Sequence, residues 1–171
     1  ATAEYCFSCI ALYIAVSREA VYETTLGFYK ILDADGSVVD PITGDIISTT
    51  NENYDSYALA DANKVGFGPT HPESTFSVPD ENISSFDITI NDFELVAPYA
   101  TVMGEGGINR TYFAFDNVNS SNHGSPISHF KVFGDNTFGI EDSIGGGDND
   151  FDDLILHMTI DNVAVSYTHL R

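Results

Sequence analysis

The chain has 171 residues, 43% of them hydrophobic and 12% aromatic, which is enough apolar material for one domain with a packed core. Twenty-six acidic residues stand against six basic ones, a formal net charge of -20. That field repels phosphate backbones and anionic membrane surfaces and so argues against nucleic acid as a partner, while twelve Phe and nine Tyr argue against a disordered acidic chain.

In chain order, residues 5–16 form an apolar run of about a dozen residues, short of the roughly 20 that a membrane helix needs. No membrane insertion is expected, and any secretion signal would lie upstream, since residues 1–5 carry no basic region. Cys6 and Cys9 are the only cysteines and lack a second pair, so they read as core residues rather than a zinc or redox site. Residues 7–16 read as a buried strand.

Residues 26–32 form the next strand, and Asp33-Ala34-Asp35-Gly36 is a hairpin signal whose return strand would be Ser37-Val38-Val39. A second turn at residues 40–45 precedes Ile46-Ile47-Ser48, and residues 54–64 show helical spacing, which predicts one short helix. After a Gly/Pro loop at 66–73, strands are expected at 76–78, 86–90, 93–96, 97–103, 111–115, 129–133 and 154–160, with a polar loop at 117–125. Many short strands and no repeat at solenoid periods predict an all-β, antiparallel β-sandwich of jelly-roll type, with residues 1–162 as a single domain.

The densest charge lies in residues 141–153, where Glu141, Asp142, Asp148, Asp150, Asp152 and Asp153 surround Gly145-Gly146-Gly147 without one base. Glycines let a chain curl so that carbonyls and carboxylates converge, and Ca²⁺ takes about six to eight such oxygens. Asp148, Asp150 and Asp152 alternate, so an extended backbone would turn them to one side and leave Phe151 to plug the core. The spacing is not that of an EF-hand, because Asp153 stands at the sixth position and Thr159 at the twelfth. The nonapeptide calcium repeat is likewise rejected, since the motif occurs once. The competing reading is an ordinary acidic loop whose Asp side chains cap turns.

The stretch Phe133-Gly134-Asp135-Asn136-Thr137-Phe138-Gly139-Ile140-Glu141-Asp142, followed by Gly145-Gly146-Gly147-Asp148-Asn149-Asp150-Phe151-Asp152-Asp153-Leu154, resembles the signature of the DUF4114 family. Residues 17–22, Gly27-Phe28-Tyr29, the turn at 40–44, Ala97-Pro98-Tyr99 and residues 112–115 extend the resemblance over about 16–160. Ile140 departs from the usual Phe and Asp152 from the usual Asn. Such domains occur in large secreted bacterial surface proteins and calcium-dependent adhesins. The resemblance therefore implies an extracellular or cell-surface module with a binding or structural role, not an enzyme.

The expected ion is Ca²⁺, with Asp148, Asp150, Asp153, Glu141, Asp142 and Asp152 as ligands. Glu19 is a distant candidate, should the first and last strands pair; the alternative is a surface pair with Arg18. Expected partners are a cell-surface glycan or protein ligand and neighbouring domains of a larger secreted chain. A calcium-dependent carbohydrate-binding module is the alternative function, with the 117–125 loop meeting sugar hydroxyls and Tyr112 or Tyr99 stacking on a sugar face. Glycan hydrolysis is disfavoured because the acids crowd one loop. The five histidines show no metal spacing, and residues 163–171 depart from the family pattern and read as a non-native or disordered tail.

Overall fold

The computed structural model describes residues 9–18, 22–66, 75–77, 83–91, 94–103, 109–119, 126–134, 136–143 and 145–161. Two antiparallel sheets carry the chain. One is formed by β1 (Cys9–Arg18), β7 (Ile83–Asn91), β10 (Phe130–Gly134), β11 (Thr137–Ile140) and β12 (Leu154–Asp161), in the order β10-β11-β12-β1-β7. The other holds β5 (Lys64–Val65), β2 (Glu23–Ile31), β8 (Leu95–Met103) and β9 (Asn109–Phe113) in that order, with β6 (Thr75–Ser77) also on β2. No helix among the described residues is long and apolar enough to cross a membrane.

Alternation along the strands builds the core. Ile14 and Val16 of β1, Ile88 of β7, Ile140 of β11 and Leu154 and Leu156 of β12 meet Leu26 and Phe28 of β2, Val65 and Ala100 in one buried cluster. Side chains of this size each contribute about 1.5–3 kcal/mol when fully buried, and their sharing by both sheets makes the fold a sandwich. The first and last strands lie side by side, with Ala11 opposite Asp161 and Arg18 opposite Leu154.

The second sheet is covered on its outer face as well. Tyr29, Tyr99 and Phe113 pack there beneath Tyr54 and Ala58 of α1 (Tyr54–Ala58) and Val38 of β3 (Val38–Val39). The rings meet edge to face, Tyr29 with Phe113 at 5.6 Å and Tyr54 with Phe113 at 5.8 Å between centroids. The Tyr54 hydroxyl donates to the Gly36 carbonyl and lies 3.1 Å from that of Tyr29. Burial pushes the Tyr54 phenol up to about 12 and raises that of Tyr29 as well.

Several expected elements are redrawn. The helix occupies only 54–58 of the 54–64 span. The expected strands at 93–96 and 97–103 are one strand, β8, in which Pro98 opposes Phe28 and falls just outside the β9 ladder, where a missing N–H is tolerated. The Asp33 turn closes through Leu32 N–H to the Ser37 carbonyl at 2.7 Å, yet Val38–Val39 pairs with β4 (Ile46–Ile47). Both edges of β2 are taken by β8 and by β5 with β6, which leaves no ladder for a return strand. Tyr99 is 2% exposed inside the aromatic layer, so it offers no face to a sugar.

Gly27 opposes Tyr99 across the β2–β8 ladder, and a Cβ there would overlap the Tyr99 ring. We expect Gly27→Ala to destabilise the fold by about 1–3 kcal/mol in urea denaturation, with a smaller loss when Tyr99→Ala removes the ring first. Equal losses in both backgrounds would show that the ring does not set the cost.

Candidate metal centre

The acidic stretch is the loop that joins β11 to β12, anchored where Ile140 pairs with Leu154. Glu141 is held from both sides of its backbone: its N–H donates to the His129 carbonyl at 2.9 Å, and His129 Nδ1 donates back to the Glu141 carbonyl at 2.8 Å. These bonds carry the β10–β11 pairing one residue beyond Phe130 opposite Ile140. The His129 ring in turn stacks on Tyr112 of β9, 3.6 Å between centroids and 12° between planes. Glu141 is 1% exposed and His129 2%.

Backbone conformation, not alternation, gathers the carboxylates. Gly145, Gly146 and Gly147 adopt φ of 78°, 85° and 46°, and Asn149 and Phe151 both adopt 64°. The extended arrangement expected for residues 148–152 is thus replaced by a left-handed curl, because three glycines permit it and Asn tolerates it. Phe151 is strained there, and its anchoring offsets the strain. Its ring is 8% exposed and lies under the Lys131 ammonium at 5.1 Å, and its carbonyl sits against Gly139 where a Cβ would not fit. At Gly147 the missing Cβ leaves room for Glu141 Oε1.

The curl brings one oxygen each of Glu141, Asp148 and Asp150 within 4.8 Å of one another, the first buried and the other two exposed. Asp153 adjoins them: its Oδ2 accepts the Asp142 N–H at 2.8 Å, and its side chain meets that of Glu141. Asp142 is buried but turns toward the Thr24 hydroxyl at 3.5 Å and the Arg18 charge. Asp152 is exposed and reaches Asp150 through its own N–H at 3.3 Å. Glu19 lies outside the described residues.

The electrostatics fit a cation. Burial pushes the Glu141 carboxyl up to about 7, with the Asp153 side chain and the Asp148 charge adding to it and the Phe151 N–H opposing. Asp142 is also pushed up to about 7, first by burial and then by Asp153, against Arg18 and Thr24. Asp152 is raised by sharing a hydrogen bond with Asp150. Glu141 Oε2 is buried without a hydrogen-bond partner, an acceptor that has lost water and received nothing in return. A hard cation could supply what that oxygen lacks, since the three converging side chains offer only oxygen.

Sequence reasoning missed the supports of this centre. The histidine spacing gives no hint of His129, whose place just before β10, opposite Glu141, is the signal that β10–β11 pairing would have given. Arg18 is 7% exposed, donates to the Tyr22 carbonyl and draws the Asp142 pKa down, so it is a buried charge rather than a surface one.

The family model described as a domain of unknown function (DUF4114) matches residues 48–161. The chain belongs to this family. The DUF4114 match contains the whole acidic loop and β5 to β12, while β1 and β2, which supply Ile14, Val16, Leu26 and Phe28 to the core, precede it. No curated protein and no solved structure matches the chain.

The raised carboxyls set a pH dependence. Glu141 and Asp142 hold protons in the folded chain that the unfolded chain, with ordinary values of 4.5 and 3.8, has released. Between about pH 4 and 7 their contribution to the stability of ion-free protein therefore falls as pH rises, and it levels off above. His129, held neutral by burial below its ordinary 6.5, works in the opposite sense, so the comparison is with Glu141→Gln. In chelator, wild type should lose stability relative to Glu141→Gln as pH is raised from about 5 to 8. Parallel melting curves across that range would contradict the assignment.

Proposed function

We propose that this domain is a calcium-binding β-sandwich module of an extracellular bacterial surface protein or adhesin, with a binding or structural role rather than a catalytic one. The observation that carries the reading is the orphaned, buried Glu141 Oε2 in the same centre as Asp148 and Asp150. Carboxylates this close repel strongly in a partly buried site, and Ca²⁺ turns that repulsion into attraction while using the carbonyls that a curled glycine loop exposes.

Geometry favours holding an ion over cleaving a bond. The carboxylate oxygens lie within 4.8 Å of one another, whereas glycoside hydrolysis sets two carboxyls about 5–10 Å apart across a sugar. The extracellular reading is supported by exposure: with Asp148 and Asp150 at the surface, the site is expected to hold an ion weakly, in the range of about 10⁻⁴–10⁻³ M at which extracellular calcium modules work. Neighbouring domains of a larger secreted chain and a cell-surface ligand are the partners that such a module would serve.

Calorimetric titration with CaCl₂ is the direct test. We expect one saturable site and a rise in melting temperature that corresponds to about 2.7 kcal/mol at a hundredfold excess over Kd. Glu141→Gln and Asp150→Asn should each weaken binding at least about tenfold, since each removes one charge from the coordination sphere. No heat and no thermal shift with wild type would sink the proposal. Gly147→Ala provides an independent check, because its Cβ overlaps Glu141 Oε1 and should lower affinity without altering any ligand.

A further inference from the structure

β9 lies at the edge of the second sheet: β8 takes one side of it, and among the described residues no strand takes the other. Phe113 shows which backbone groups face that open side. Its N–H donates to Asn119 Oδ1 and its carbonyl accepts from Asn119 Nδ2, both at 2.8 Å, so a side-chain amide stands where a further strand would stand. In an antiparallel ladder the N–H and C=O of one residue point to the same side, and that side alternates along the strand. Thr111 and Asn109, two and four residues back, therefore turn theirs to the same open edge. The Thr111 and Thr101 hydroxyls, opposite one another and 3.1 Å apart, agree with this, since side chains come closest in a pair that exchanges no backbone hydrogen bonds.

A groove of about 580 Å³ runs along this edge. All five residues of β9 line it, although their side chains alternate between the two faces of the sheet, so it follows the edge of the strand rather than either face. Asn119 lies at its Phe113 end, and the residues that lead into α1 form the opposite wall. Exposed edges are commonly blunted by lysine, proline or a bulge, and β9 carries none of these.

We propose that the β9 edge binds an extended segment of another protein chain, which adds to the sheet as a further strand and carries lysine or arginine at alternate positions. The N–H and C=O groups of Asn109 and Thr111 supply the ladder, which gives affinity with little sequence preference. Preference comes from the opposite wall, where Glu52 and Asp55 are both exposed. They flank α1, which packs over the face that holds Tyr29, Tyr99 and Phe113, and every second side chain of an added strand turns to that face. The net charge of -20 strengthens the attraction and opposes both an acidic segment and a second copy of this chain. None of Glu141, Asp148 and Asp150 lines the groove, so an ion in the β11–β12 loop has no part in this contact.

The probe is the acetylated, amidated hexapeptide Thr-Lys-Thr-Lys-Thr-Lys, titrated into the isotope-labelled full chain and followed by NMR. It should shift the Asn109 and Thr111 backbone N–H signals saturably, with the Thr-Glu hexapeptide at least about tenfold weaker. Methylating the backbone nitrogens of the lysines in one peptide, and of the threonines in another, blocks opposite edges of the added strand. One of the two should bind as before and the other at least about tenfold more weakly. Thr111→Pro removes an N–H on the open edge without touching the β8 ladder and should abolish the response; should that variant not fold, the methylated pair tests the same contact without a mutation. No response to the lysine peptide, equal binding of the two methylated peptides or equal binding of the glutamate peptide would overturn the proposal. Shifts of the same signals on raising the protein concentration alone would assign the edge to a second copy and overturn it as well.

Discussion

A carboxylate stripped of water is the constraint around which this domain is arranged. Glu141 sits at 1% exposure with one oxygen unpartnered, and nearby features hold it there at some cost. Its backbone is clamped to His129, Gly147 makes way for its side chain, and Phe151 accepts a left-handed backbone to close the loop. Bulky residues adopt that conformation only when their surroundings determine it, and here the Lys131 contact and the close fit of the Phe151 carbonyl against Gly139 do so.

The same chain shows carboxylates put to the opposite use. Asp33 accepts N–H groups of Asp35 and Ser37, and Asp40 accepts the Ile42 N–H and the Thr43 hydroxyl, and both pKa values are lowered by those donors. Backbone donors satisfy these acids at turns. In the 141–153 loop burial and neighbouring acids outweigh the available donors, and the values rise instead. The balance of donors against burial and neighbouring charge separates the capping Asp33 and Asp40 from Glu141 and Asp142.

Alternation made the inward faces of β1, β11 and β12 readable, because only one side of those strands meets the core. It failed for β2 and β8, whose burial runs over consecutive residues because the aromatic layer covers the second sheet on the other side. The acidic loop announced itself by composition, yet its shape did not. Spacing suggested an extended segment, whereas positive φ at Phe151 is held by tertiary contacts with Lys131 and Gly139 that no local pattern encodes. Arg18 and Thr24 were equally invisible, since they reach Asp142 only through the pairing of β1 with β12 and the packing of two sheets.

The pairing of β1 with β12 also determines how the domain would bear a load. Ala11 and Asp161 are opposite one another, so the chain enters and leaves this ladder at the same end. Tension applied across those two points acts across the rungs rather than along them, and it opens them one at a time instead of shearing them together. Arg18 opposite Leu154 closes the far end, next to Asp142 and the acidic loop. Peeling from the ends would reach the candidate metal centre last, and a cation clamped there would be the knot at the end of the zip.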